Sequence, residues 1–179
     1  MILKLLGAWL AFFFSVILIS ASVLPVYAGP VAWLGVQNIS ETPDSLSDSP
    51  SVAAVGSNVY VAWCDDSPGN LDIYFRRSAD NGATCEPIKN LSNNAGSSSD
   101  PSVAAVGGKV YVAWDDDSKG NWEIFFKRSM DGGATWKPIQ RLTTNTGASR
   151  HPSVAAVGTD VYVAWDDDSK GNWEIFFKR

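Results

Sequence analysis

The chain has 179 residues, 45% of them hydrophobic and 18% charged, and a formal net charge of −5. All 19 acidic residues but only 13 of the 14 basic ones follow residue 28, so the remainder carries 13 − 19 = −6. That balance excludes the basic footprint of a nucleic-acid binder, and the two cysteines, Cys64 and Cys85, are too few for a disulfide framework.

Residues 1–28 hold one charge, Lys4, then an apolar run from Leu5 to Leu24 broken by Pro25 and closed by Val26-Tyr27-Ala28. This is the layout of a secretory signal peptide, with cleavage expected between Ala28 and Gly29. An uncleaved anchor is the alternative, since an apolar run of this length also spans a bilayer. Either way residues 29–179 are expected outside the cytosol, secreted or at the extracellular face of the membrane, with the membrane touched only through the N-terminal segment.

The phrase Pro-Ser-Val-Ala-Ala-Val-Gly begins at Pro50, Pro101 and Pro152, a constant step of 51 residues. A period of that size marks an array or a propeller. From Pro101 to Arg128 and from Pro152 to Arg179, 26 of 28 positions are identical; the differences are Gly108/Thr159 and Lys109/Asp160. Each unit reads as strands. In the first, Val52–Val55 ends at Gly56, Val59–Trp63 is β-branched and aromatic, and Leu71–Arg77 follows a Pro-Gly-Asn turn. Runs apolar on both faces require a sheet covered on both sides.

After the third strand comes Ser78-Ala79-Asp80-Asn81-Gly82-Ala83-Thr84-Cys85, and one period later Ser129-Met130-Asp131-Gly132-Gly133-Ala134-Thr135-Trp136. Asp80 and Asp131 are expected to accept backbone N–H bonds and close an Asx-type turn, with Gly82 and Gly133 supplying positive φ. Trp136 is expected to bury its ring against the neighbouring unit. This element resembles the Asp box, Ser-x-Asp-x-Gly-x-Thr-Trp, of sialidase-type β-propellers, where it is a folding device on the blade rim. The resemblance implies an all-β fold of four-stranded antiparallel blades and gives Ser78, Asp80, Gly82, Thr84, Ser129, Asp131, Gly133, Thr135 and Trp136 a structural role.

Trp33 and Val36–Ser40 align with Trp136 and Ile139–Thr143, and with Cys85 and Ile88–Ser92, so residues 33–40 are expected to form an outer fourth strand. One strand plus four, four and three makes twelve, about three blades' worth, where propellers close with four to eight. Two readings stand. The chain is a piece of a longer repeat protein, or two chains join as a homodimer, the fourth strand of one completing the last blade of the other.

The resemblance implies that the loops between strands two and three gather on one face around the axis. Here they carry Asp65 and Asp66; Asp115, Asp116, Asp117 and Trp122; and Asp166, Asp167, Asp168 and Trp173. An acidic face with aromatics suits a carbohydrate or protein ligand, and carboxylates in a tight turn suit Ca²⁺. The same residues are also ordinary hairpin-turn residues capping their own backbone, and their spacing is not that of an EF-hand loop. No cofactor is otherwise implied. Sialidases use a tyrosine nucleophile supported by a glutamate, an aspartate acid/base and three arginines. The Phe-Arg-Ile-Pro-type motif of that family is absent, and four of the six arginines, Arg76, Arg77, Arg128 and Arg179, sit in repeated third-strand positions. Catalytic centres break repeat symmetry, because each residue has its own role. The expected function is therefore a non-catalytic binding scaffold. A fragment of a sialidase-like glycoside hydrolase, with its reacting groups outside this chain, is the alternative. His151, aligned with Ser49 and Asp100, is expected to be a solvated, unpaired loop residue. Cys64 and Cys85 are expected at opposite ends of the blade, unbonded to each other.

Overall fold

The computed structural model describes residues 35–179, so the leader, Trp33 and their expected roles lie outside the described residues. The chain divides after Val36, and every strand of the described residues lies in the unit from Gln37 to Arg179. Among the described residues no helix is long and apolar enough to cross a membrane.

Among the described residues eleven strands form three antiparallel sheets. The first contains β1 (Ser47–Val55), β2 (Asn58–Asp65), β3 (Asp72–Ser78) and β4 (Lys89–Asn90) in that order. The second repeats it with β5 (Ser98–Val106), β6 (Lys109–Asp116), β7 (Glu123–Ser129) and β8 (Gln140–Arg141). The third has β9 (Ser149–Val157), β10 (Asp160–Asp167) and β11 (Glu174–Lys178). These are propeller blades, with β1, β5 and β9 side by side along the inner edge.

The double-sided apolar pattern is used as its period of two dictates. On β6, Val110, Val112 and Trp114 face the first sheet and pack with Tyr60, Ala62, Ile73 and Phe75. The alternate residues Tyr111 and Ala113 face the third sheet and pack with Val154, Val163 and Trp165. A second tie runs between inner strands: Ser51 Oγ accepts from Val103 N at 3.1 Å, and Ser102 Oγ from Val154 N at 3.0 Å.

The two complete turns of the repeat motif are nearly superposable. Asp80 Oδ1 accepts from Thr84 N at 2.9 Å and Ser78 Oγ at 2.7 Å, while Oδ2 accepts from Thr84 Oγ1 at 2.6 Å. Asp131 does the same with Thr135 and Ser129 at 2.8, 2.6 and 2.7 Å. Gly82 and Gly133 stand at φ +84° and +85°, as the turn requires. Trp136 meets Phe75 of the preceding sheet edge-on, 5.0 Å between ring centroids.

Three expectations need correction. The inner strand is nine residues, not the four of Val52–Val55, and it runs through Pro50, Pro101 and Pro152. Proline is tolerated because this is the edge strand of its sheet and a bulge sits there. The outer strands are only two residues each, because Pro87 and Pro138 lack an N–H donor, although Glu86 N and Leu91 N still donate to the β3 carbonyls of Arg77 and Ile73. Residues 35–40, expected as an outer strand, form no ladder, since among the described residues no third strand precedes them to pair with. Arg76 Nη1 nevertheless donates to Ile39 O at 2.9 Å, just as Lys127 Nζ donates to Leu91 O at 2.9 Å. Segment 37–41 thus lies against β3 as the outer strand of a preceding unit would.

Candidate functional site

The acidic triplets do not stand free in loops. Asp65, Asp115, Asp116, Asp166 and Asp167 end the second strands, and only Asp66, Asp117 and Asp168 open the turns. The middle residue of each triplet is a buried latch. Asp116 Oδ2 accepts from Asn94 Nδ2, Ser98 Oγ and Trp114 Nε1 at 2.7, 2.7 and 3.3 Å, and Oδ1 accepts from Ser118 N at 2.9 Å. Asp65 takes Thr42, Ser47, Trp63 and Ser67, and Asp167 takes Asn145, Ser149, Trp165 and Ser169. Burial alone would raise these carboxyls, yet the converging donors outweigh it and hold all three below the usual carboxylate range. The third residue fastens the loop arriving from the previous unit: Asp66, Asp117 and Asp168 accept from the N–H of Leu46, Ser97 and Ala148 at 2.8, 2.7 and 2.7 Å. Four of the ten ligand candidates, Asp116, Asp117, Asp167 and Asp168, are therefore engaged in joining one blade to the next, and Asp65 and Asp66 hold residues 42–47 ahead of the first blade in the same way.

The first residue of the triplet behaves differently. Cys64, Asp115 and Asp166 lie opposite the inner strands, two residues from the repeat proline. There each inner strand carries a bulge, and Ser49, Asp100 and His151 adopt φ of +49°, +49° and +50°. A left-handed residue other than glycine costs about 1–2 kcal/mol, and a bulge re-aims its side chain. Ser49, Asp100 and His151, each followed by its proline, line an open cavity of about 360 Å³ on the inner edge.

The side chains around this mouth form one charged network. Arg150 Nε donates to Asp115 Oδ2 at 2.9 Å, and Ser99 Oγ donates to Asp115 Oδ1 at 2.9 Å. The guanidinium lies over Trp122, its Cζ 4.4 Å from the ring centroid, and Nη2 stands 3.9 Å from Asp100 Oδ2. His151 Nδ1 is 2.8 Å from Asp166 Oδ2, and Nε2 is 3.8 Å from Asp100 Oδ2. Asp115 is buried, which pushes its carboxyl up, while Arg150 and Ser99 pull it down. Burial pushes the Cys64 thiol up to about 12, so the corresponding place in the first unit is uncharged at neutral pH.

Asp100, Asp115 and His151 each bring a ligand atom within 4.8 Å of the others, the one such grouping among the described residues. The Arg150 guanidinium stands beside the same carboxylates, 2.9 Å from Asp115 and 3.9 Å from Asp100. Trp173, the counterpart of Trp122, stands exposed on the open face of the third sheet.

His151 was expected as an unpaired loop residue; it lies in β9 and pairs with Asp166. Asp100 and Arg150 were not singled out at all. The sequence did carry a signal. Two units identical at 26 of 28 positions from the proline onward differ at both positions just before it, Ser99/Arg150 and Asp100/His151. Cys64 and Cys85 are free, as expected.

No protein-family model matches the sequence, nor does any curated protein. Among solved structures the chain is similar to a family 117 glycoside hydrolase produced by the marine bacterium Zobellia galactanivorans, at 11% identity and TM-score 0.54, over 80% of this chain and 54% of that one. It is also similar to the Trypanosoma rangeli sialidase in complex with sialic acid, at 12% identity and TM-score 0.49, over 74% of this chain and 31% of that one. The native arabinanase of Bacillus subtilis follows at 14% identity and TM-score 0.40, over 65% and 46%. The chain thus spans about a third of the sialidase's length. At these identities the likeness concerns architecture alone: the chain has the β-propeller fold found in glycoside hydrolases.

Proposed function

We propose that this chain is an exported, non-catalytic repeat scaffold of the Asp-box type that binds a carbohydrate at the inner mouth of its loop face. One observation carries the reading. Two of the positions at which the near-identical units diverge, Ser99/Arg150 and Asp100/His151, converge in space at the strained bulges. The other differences, among them Gly108/Thr159 and Lys109/Asp160, fall in turns, strand ends and the connecting loop. At the bulges the change puts charged side chains with individual roles side by side, as a site does. The mouth is lined by Asp100 and His151 with Ser49, Ser51 and Ser102, while Asp166 holds His151, and Arg150, stacked on Trp122, stands 3.9 Å from Asp100; a carboxylate, an imidazole and hydroxyls suit a polyhydroxylated ligand. The two Asp-turns support the family reading, and fold-level analogy with glycoside hydrolases agrees with the ligand class. The same analogy supports the rival, a hydrolase segment whose reacting groups lie elsewhere.

The test is a glycan array probed with the full chain, with Arg150→Ala and His151→Ala alongside. The reading expects retention of a defined glycan class and a loss of about tenfold or more in each variant at unchanged circular dichroism, the scale of one polar contact. No retained glycan, or variants that bind as well as the parent, would overturn it. Turnover of a bound glycan would favour the rival.

A further inference from the structure

The hydrogen bonds at the inner mouth divide its side chains into two kinds. Arg150 is committed: Nε donates to Asp115 Oδ2 at 2.9 Å, and the guanidinium lies over Trp122, 4.4 Å from the ring centroid. His151 Nδ1 is committed to Asp166 Oδ2 at 2.8 Å. Asp100 is not. Among the described residues its carboxylate accepts no hydrogen bond; Arg150 Nη2 and His151 Nε2 stand 3.9 and 3.8 Å from Oδ2, beyond hydrogen-bond reach.

A carboxylate only accepts, so in the neutral imidazole the hydrogen facing Asp166 sits on Nδ1, and Nε2 is an acceptor. Asp100 Oδ2 and His151 Nε2 are then two acceptors 3.8 Å apart, brought together from adjacent sheets. A hydroxyl or an N-acetyl amide has one hydrogen to give and bonds one of them; an ammonium has three and bonds both. The charge agrees. Arg150 offsets Asp115, a neutral His151 offsets neither Asp100 nor Asp166, and the whole chain carries −5. A cationic group is thus drawn to the mouth, and an anionic one is repelled. Ser51 and Ser102, which line the same cavity, accept from Val103 N and Val154 N through Oγ and keep a hydroxyl hydrogen for a sugar oxygen.

We infer that the carbohydrate bound at this mouth is an amino sugar whose amine is free and protonated, its ammonium bridging Asp100 Oδ2 and His151 Nε2. Hydroxyls of the same sugar chain take the Ser51 and Ser102 hydrogens. The inference deepens the carbohydrate reading and rests on it.

Oligomers of glucosamine and of N-acetylglucosamine share one sugar backbone and differ in charge, so titrating each into the full chain at neutral pH, with EDTA present, isolates the amine. The glucosamine oligomer is expected to bind about tenfold tighter, the scale of one charge-assisted hydrogen bond, and the margin should shrink as salt is raised. Asp100→Asn keeps the shape and is tolerated at positive φ; it should weaken the glucosamine oligomer about tenfold and bring the two oligomers level. Equal binding of the two in the parent, tighter binding of the acetylated oligomer or of an acidic glycan, retention only when a divalent cation replaces the EDTA, or a margin untouched by Asp100→Asn would overturn the inference and leave the carbohydrate reading standing. Failure to bind any glycan would overturn both.

Discussion

Replacing Gly133 by alanine places a methyl group where the Phe75 ring lies. An ideal Cβ on Gly133 would stand 2.7 Å from Phe75 Cε1 and 2.8 Å from Cζ. The ring has nowhere to go, being buried, with Trp136 edge-on at 5.0 Å and Tyr60 stacked at 6.3 Å. Gly82 in the first turn supplies the control: its φ is +84° against +85°, but its Cβ would meet nothing within 4 Å. Both substitutions carry the left-handed backbone penalty, about 1–2 kcal/mol. Only Gly133→Ala adds overpacking, about 1–3 kcal/mol. Urea unfolding should therefore give about 1–2 kcal/mol for Gly82→Ala and about 2–5 kcal/mol for Gly133→Ala, with unchanged m-values. The difference measures the contact between the turn of the second sheet and the face of the first. Phe75→Leu in the Gly133→Ala background should recover part of the loss, since residues in contact are not additive. Equal costs for the two alanines would show that Gly133 does not face Phe75, and the packing of sheet on sheet would be refuted.

Two further outcomes follow from the hydrogen-bonded carboxylates. Asp116→Ala strands four donors at once, those of Asn94, Ser98, Trp114 and Ser118, and should destabilise the fold by about 3–5 kcal/mol; a loss under about 1 kcal/mol in chemical unfolding would contradict the latch. Acid should also unfold the chain in a definite window. Asp80 is held down at about 2, against an ordinary 3.8, by the Thr84 hydroxyl and amide and by Ser78, and Asp65, Asp116, Asp131 and Asp167 are shifted the same way. Folded pKa values below the unfolded ones mean stability that is complete above 3.8 and drains away as pH falls toward about 2. Asp115, raised by burial, works in the opposite sense but is one group against five. A thermal midpoint that holds steady from neutral pH to about 2 would contradict this sign.

The blades were legible because the apolar runs are double-sided and the step of 51 residues is constant. On β6, Val110, Val112 and Trp114 could pack one way and Tyr111 and Ala113 the other only in a sheet covered on both faces. The Asp-turns were legible because the bonds that close them onto the aspartate span four residues or fewer. The length of the inner strand was obscured by Pro50, Pro101 and Pro152, which read as breakers until the bulge beside them is seen. The candidate site was harder still. Arg150 meets Asp115 across 35 positions in sequence and from another sheet, and no local pattern encodes such a pairing. The acidic triplets were conspicuous but misleading in position: their middle and last members fasten loops, and only the first pairs with the inner strand of its own or the next sheet beside the mouth.

The account rests on blades lying face to face along adjacent inner strands, and hydrogen exchange at two amides tests that most directly. Val103 N bonds Ser51 Oγ of the preceding unit at 3.1 Å, and Val154 N bonds Ser102 Oγ at 3.0 Å. Both amides should be protected in the parent. Ser51→Ala should speed exchange at Val103 by about tenfold while sparing Val154, and Ser102→Ala should do the reverse. Unprotected amides at Val103 and Val154, or exchange there that ignores which serine is removed, would contradict the arrangement.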